Sequence, residues 1–353
     1  MKTARRFKAV ELSSVDTTLF LLGALTAAAY FDGPGADEAE IRKLGVGVYE
    51  RVDWTFMARR DGLISMGWHP ENGGTLIERS WDRYNEGMMV YLLALASPTH
   101  KAGDWGAWSA TIGGTWGANG GEPHLGFAPL FGHQYSHCWY DFRGVADAYM
   151  RGKGIDYHEN SRRATLAQRN YAIRNPGGFQ DYGAGVWGLT ACRGPGDFTA
   201  EVNGRAVQFR GYSARGPQVG DGEGIDDGTI APTAGAGSVA FAPTEVTQLI
   251  HSLRRRYGED VYGKYGFTDS FNPSVPANQP VREGRHASRA GWIADAYLGI
   301  DQGPILLMLE NHRSGLIWDL FCRSKVTGPI VRRGMQAAGF QAVAPAGRWL
   351  AST

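Results

Sequence analysis

The sequence predicts an all-α fold, a helical toroid with one small β-hairpin set into it. Three observations predict this. Apolar or amphipathic helical segments recur along the whole chain, glycine-rich loops separate them, and strict apolar–polar alternation is confined to a single stretch. The 353 residues are enough for a sizeable core. A single domain over 1–353 is expected, with a split inside the glycine-rich middle as the alternative.

The elements follow in order. Residues 13–31, SSVDTTLFLLGALTAAAYF, open on Ser and Asp as candidate N-caps and then run apolar. Residues 37–57, DEAEIRKLGVGVYERVDWTFM, read as an amphipathic helix with acids at its start. RYNEGMMVYLLALAS (83–97) is a third helix, stopped by Pro98. PLFGHQYSHCWYDFRGVADAYM (129–150) and DYHENSRRATLAQRNYAI (156–173) read as a long helical pair ended by Asn175-Pro176. From about 178 to 237 the chain is rich in Gly, Asp and Pro, and FTAEVNGRAVQFRGY (198–212) alternates around Asn203-Gly204 as a hairpin does. Helices are expected again over 242–258, 287–299, 301–321 and 326–339. No sequence repeat of fixed period is present.

Composition narrows the function. The net charge of +1 gives no electrostatic case for nucleic acid or an anionic membrane. Arg254-Arg255-Arg256 reads as the solvated end of a helix. Cys138, Cys192 and Cys322 are odd in number and far apart, so they form neither a disulfide framework nor a zinc spacing. The apolar run 19–31 is too short to span a bilayer, and the basic N-terminus is not followed by an export-signal core. The 50 glycines, roughly twice the usual share, and the 11 tryptophans suit a cleft that stacks on flat ligands such as sugar rings.

Several acids sit at helix starts. Glu86, after Trp81 and Tyr84, is either a capping group or a carboxyl whose apolar surroundings keep it protonated for a leaving oxygen. Glu159 has Arg162 and Arg163 at i+3 and i+4, which reads as a surface ion pair. Asp301, before Pro304, and Asp16 are N-cap candidates that could equally line a cleft. In a toroid, helix ends on one face surround the cleft, and glycosidic cleavage needs two carboxyl groups there. His133, His137 and Asp141 are spaced for one helix face, yet without a general-base Glu motif or further His/Cys cluster a metal is not expected. With Gln134, Tyr135 and Trp139 they read as cleft-lining or core residues. A lyase with Tyr135 as base is a rival reading. GVGVYE and GDGEGIDDGT lack the phosphate-loop lysine, and the latter resembles a calcium loop only loosely. It reads as a loop bordering the cleft. No cofactor is expected.

Read together, YNEGMMVYLLALASPTH, PLFGHQYSHCWYDFRG, YHENSRRATLAQRNYAI, VWGLTAC, DDGTIAPTAGAGS and YLGIDQGPILLMLENHRSGLIW resemble the glycoamylase-like family. This group includes glycoside hydrolase family 144 and the cyclisation domain of cyclic β-1,2-glucan synthases. The resemblance runs in order from SSVDTT to about Phe321. It implies an (α/α)6 toroid acting on β-1,2-glucan or its oligosaccharides. It implies Glu86 as general acid, Asp301 as the base of an inverting hydrolase, and Glu159 as the nucleophile of a retaining transglycosylase. Asp16 matches an acid at the cleft. Trp81, Tyr84, Gln134, Tyr135, His137, Trp139, Asp141, Arg143, Arg162 and Trp187 are expected substrate contacts. An endo-acting, inverting hydrolase is the expectation, with a retaining transglycosylase or a glucan-binding protein without catalysis as alternatives. Family members carry helices before the segment matching SSVDTT and are often exported, so the chain is expected to begin inside the toroid, with homo-oligomers possible.

Overall fold

Helices begin where the sequence supplies caps. Ser13, Asp53, Asp104 and Asp147 each place a side-chain oxygen on free backbone N–H groups of a first turn. The computed structural model describes residue 6 and residues 8–71, 73–220, 222 and 224–351. In order, its helices are α1 (Ser14–Tyr30), α2 (Ala36–Glu50), α3 (Trp54–Met57), α4 (Gly87–Ala96), α5 (Trp105–Ile112), α6 (Tyr135–Trp139), α7 (Ala148–Lys153), α8 (Tyr157–Arg174), α9 (Pro232–Ala236), α10 (Pro243–Tyr257), α11 (Gly299–Arg313), α12 (Leu316–Trp318) and α13 (Gly328–Ala337). Short two- and three-stranded antiparallel sheets lie between them. The fold is therefore helix-rich, with only small sheets among the described residues. None of the described helices is long and apolar enough to cross a membrane.

The chain divides into two compact units interleaved in sequence. One comprises residues 1–113, 139–156 and 317–353. Its centre is α4, GMMVYLLALA, buried along its entire length. A helix apolar all round must be covered on every side. Helices α1 and α13 pack on it, and α2 packs on α1. The approach of α13 is close: a Cβ on Gly334 would meet the Leu92 carbonyl oxygen at 2.3 Å. Tyr49 donates to the Leu93 carbonyl across 3.0 Å.

The other unit comprises residues 114–138 and 157–316. It holds α8 to α11 and the hairpin 198–202/205–209, which pairs Phe198 with Phe209 and turns at Asn203-Gly204, as the sequence predicts. The hairpin buries Val202 and Phe209 against Val275, Trp292 and Ala294. Arg215 lies beneath it at 0% exposure, and two of its nitrogens donate to Asp227 at 2.8 Å.

Four sequence expectations change. The helix expected over 301–321 is interrupted at Ser314-Gly315, where Gly315 has φ +75°, and resumes as α12. Residues 287–299 are not a helix. Strand Gly291–Ile293 pairs with Arg285–Ala287 and with Phe271–Asn272, and Gly291 has φ +70° where a Cβ would strike the Asn272 carbonyl oxygen at 2.6 Å. Residues 129–150 are broken into a 3₁₀ turn (Leu130–His133), α6, the strand Val145–Ala146 and α7. Residues 37–57 stop at Glu50 and restart at the Asp53 cap.

Candidate active site

Three carboxyl groups, Glu86, Asp301 and Asp269, each keep one buried oxygen without a hydrogen-bond partner among the described residues, and the first two of them stand at helix starts. The first is Glu86. It occupies the N-cap position of α4 but makes no side-chain cap bond. Its neighbour Asn85 does that work: Asn85 Oδ1 accepts from the Gly87 N–H at 2.9 Å, and its Nδ2 donates to the Asp82 carbonyl at 2.8 Å. Position 87 is held to glycine, since a Cβ there would sit 2.8 Å from both Asn85 Oδ1 and Trp81 Cβ. The Glu86 side chain is therefore turned away from helix capping. It is 8% exposed, and its Oε2 is buried without a hydrogen-bond partner. Burial pushes its pKa up to about 7, and its own backbone N–H acts slightly the other way.

Trp81 supports this corner. Its indole N–H donates to Ser14 Oγ at 2.8 Å, and its carbonyl accepts from the Tyr91 hydroxyl at 2.8 Å. Tyr84 is fully buried. Asp16 lies exposed on the first turn of α1, two residues from Ser14, and its backbone N–H donates to the Ser13 side chain.

The second carboxyl is Asp301, on the first turn of α11, whose N-cap is Leu298. It is 8% exposed and its Oδ2 is buried without a partner. Burial raises its pKa to about 7, and the charge of Asp269 pushes the same way. Asp301 lines a cavity of about 10 Å³ together with Gln134, Tyr135, Thr190, Thr233 and Pro304, the size that seats a single water. Gln134 is fixed there by donating to the Ala234 carbonyl and Ser238 Oγ at 2.5 and 2.7 Å.

The remaining expected residues are differently placed. Glu159 is clamped by Arg162 at 2.7 and 2.9 Å and by Arg163 at 2.8 Å. Partial burial opposes its ionisation, but the two guanidinium groups prevail and hold its pKa below the usual range. Asp141 lies beyond the end of α6, so it does not share a helix face with His133 and His137. It accepts from Arg143 at 2.8 Å and from Arg323 at 2.6 Å, which together hold its pKa down against its burial. Arg143 in turn stacks on Trp318, 4.1 Å from the ring centre. His137 is paired with Ser161 Oγ at 3.0 Å. Burial and the neighbouring His158 and His133 depress its pKa. Trp139 and Trp187 are buried. No group of His, Cys, Asp or Glu among the described residues is arranged to hold a metal ion.

The DGEGIDDG loop, expected to border the cleft, contributes Gly224, Ile225, Asp226 and Asp227 to the lining of a cavity of about 660 Å³. Asp221 and Glu223 lie outside the described residues. Asp226 accepts from the hydroxyls of Tyr182 and Tyr171 at 2.7 and 3.0 Å, and Asp227 pairs with Arg215. These aspartates are structural braces. Sequence reasoning missed Asp269, Thr190 and Thr233. Asp269 sits between the short strands Gly266–Phe267 and Phe271–Asn272, with no helix start or motif to mark it.

A family model named Glycoamylase, with the description "putative glucoamylase", matches residues 78–325. A crystal structure of the same description from Bacteroides uniformis is 30% identical, with a TM-score of 0.76 over 96% of this chain and 75% of its own. The endo-β-1,2-glucanase of Chitinophaga pinensis, solved with sophorotriose and glucose, is 27% identical, with a TM-score of 0.75 over 96% of this chain and 75% of its own. Among curated proteins, an exo-β-1,2-glucooligosaccharide sophorohydrolase of Parabacteroides distasonis is 27% identical over 348 residues. That match takes in 91% of this chain but only 42% of the relative, so the chain spans less than half that protein's length. The chain belongs to the glycoamylase family.

Proposed function

We propose that the chain is a single catalytic domain, built on an (α/α)6 toroid, that hydrolyses β-1,2-glucan or its oligosaccharides, endo-acting and with inversion. The observation that carries this reading is Glu86: a buried carboxyl at a helix head, excused from capping by Asn85, with an unclaimed Oε2 and a pKa of about 7. Such a group still holds its proton near neutrality and has an oxygen with which to deliver it. Two relatives that this chain resembles carry β-1,2-glucan substrates in their names, which supplies the linkage.

In this mechanism Glu86 gives its proton to the leaving glycosidic oxygen, directly or through a substrate hydroxyl. Asp301, ionised, takes a proton from a water, and that water attacks the anomeric carbon from the face opposite the leaving group. The glycosidic C–O bond breaks as the new C–O bond forms, and the configuration inverts. The small cavity beside Asp301 has room for that water.

One observation favours a retaining transglycosylase as the second reading. Arg162 and Arg163 keep Glu159 ionised, the state a nucleophile needs. The same arginines occupy both of its oxygens, so the second catalytic role is proposed for Asp301 rather than for Glu159. Incubation with linear and cyclic β-1,2-glucan, followed by NMR of the first-formed anomer and by product sizing, tests the reading. An α-anomer formed first supports inversion. A β-anomer or lengthened chains would move the assignment to Glu159. Binding without any released sugar would leave a glucan-binding protein, and products from α-1,4-glucan alone would overturn the linkage.

A further inference from the structure

The cavity of about 10 Å³ beside Asp301 is walled by separate stretches of chain that all belong to one of the two units. Gln134 and Tyr135 reach it from the start of α6, Thr190 from just before the strand Ala191–Cys192, Thr233 from α9 and Asp301 from α11. The wall is held in place. Gln134 Nε2 donates to the Ala234 carbonyl and to Ser238 Oγ, which ties the start of α6 to α9, and α9 packs on α11.

Two side chains of this wall each keep a buried polar atom without a hydrogen-bond partner among the described residues, Asp301 Oδ2 and Thr233 Oγ1. Asp301 is 8% exposed and Thr233 3%. A buried hydroxyl that makes no hydrogen bond is costly, and valine would fill the same shape without that cost. A carboxylate oxygen can only accept, and a hydroxyl can donate, so the two atoms are complementary to one molecule placed between them. A cavity of this size takes a water, which needs two to four polar partners. Thr190 offers a third. Its Oγ1 accepts from the Phe131 N–H at 3.3 Å and has a second lone pair.

We propose that Thr233 holds the attacking water against Asp301. The Thr233 hydroxyl donates to the water oxygen. The water gives one hydrogen to Asp301 Oδ2 and the other to Thr190 Oγ1, and its remaining lone pair is left for the anomeric carbon. As the new C–O bond forms, the first hydrogen passes to Asp301 as a proton and the second stays on the product hydroxyl. Thr233 neither gains nor loses a proton. The proposal rests on the reading of Asp301 as the base.

The test compares Thr233→Val with Thr233→Ser in the full chain, acting on a β-1,2-linked glucooligosaccharide. Valine keeps the methyl and the shape but removes the hydroxyl, whereas serine keeps the hydroxyl. The expected result is a fall in kcat of about 10²-fold for Thr233→Val with KM unchanged, and recovery of most of the rate in Thr233→Ser. A role in packing alone would reverse the order, with the valine variant native and the serine variant impaired, and that result overturns the proposal. If Thr233→Val does not fold, a crystal structure of the native chain decides. An ordered water within hydrogen-bond distance of both Thr233 Oγ1 and Asp301 Oδ2 is expected. A dry cavity, or a water that reaches only one of the two, overturns the proposal. Native hydrolysis by Asp301→Asn would sink the base reading itself. Native kcat in Thr233→Val beside an inactive Asp301→Asn overturns the water site alone.

Discussion

The head of α4 and the ground beneath the hairpin each bury a carboxyl group, and they treat it in opposite ways. Asp227 receives two Arg215 nitrogens at 2.8 Å and the Arg210 and Thr229 backbone N–H groups at 3.0 and 3.1 Å. Although burial works against the charge, these partners hold its pKa below the ordinary value. Glu86 receives no cation, and its Oε2 has no hydrogen bond. A buried charge with all its partners is an architectural part, whereas a buried carboxyl without them keeps its proton. The difference shows that depth alone does not mark a site. What marks it is depth together with partners withheld.

The comparison can be broken by exchange of one atom. Glu86→Gln keeps the shape and removes the transferable proton, so hydrolysis should fall by about 10²–10⁴-fold while circular dichroism stays native. Full activity in this variant would end the general-acid reading. The brace should fail differently. Arg215→Met leaves Asp227 without its buried cation and should cost about 3–5 kcal/mol in urea unfolding. A loss below about 1 kcal/mol would show that the pair is not the support its burial implies.

The pH dependence sharpens the contrast further. The folded pKa of Glu86 is raised from 4.5 to about 7. The folded state therefore holds a proton that the unfolded state gives up, and this contribution is full below about 4.5 and lost as pH rises through 7. Asp227 has the opposite sign: its contribution is present above the unfolded value near 4 and is lost as pH falls below it. Thermal melts of Glu86→Gln should accordingly show a gain on the order of 1–3 kcal/mol over the native chain at pH 8, shrinking toward zero at pH 4. An equal difference at both pH values would mean that Glu86 is not held neutral. The smallest effect is expected at Glu159. Half-exposed ion pairs contribute about 0–1 kcal/mol, so Glu159→Gln should barely change the melting temperature or hydrolysis. A loss of activity comparable with that of Glu86→Gln would make Glu159 the partner and retention the outcome.

Much of this was legible in the sequence, for identifiable reasons. Helices α1, α4, α8, α10 and α13 follow from apolar periodicity and caps, and the hairpin follows from strict alternation around Asn203-Gly204. Residues 287–299 misled because a buried run of Trp292, Ile293 and Ala294 looks the same in a strand as in a helix. Gly291, at positive φ against the Asn272 carbonyl, decides for the strand, and that contact is nineteen residues away in sequence. Glu86 was legible as an acid at a helix start, but its release from capping was not. That depends on which of two neighbouring side chains, Asn85 or Glu86, takes the Gly87 N–H. Asp269, whose Oδ1 is buried without a partner, was invisible for a related reason: residues 294–302 lie alongside it, which no local pattern announces.

The Asn85 cap has a consequence for how the protein can vary. Because Asn85 meets the structural demand of α4, the next position is insulated from it, and selection can act on Glu86 for chemistry alone. The insulation is only one residue thick. Asn85→Ala leaves the Gly87 N–H without its side-chain acceptor, and the residue at the N-cap position is Glu86. A change that never touches the carboxyl can thus draw it toward capping. Tolerance of mutation at position 86 and at position 85 is therefore a single shared quantity, and a loss at one is paid in function at the other.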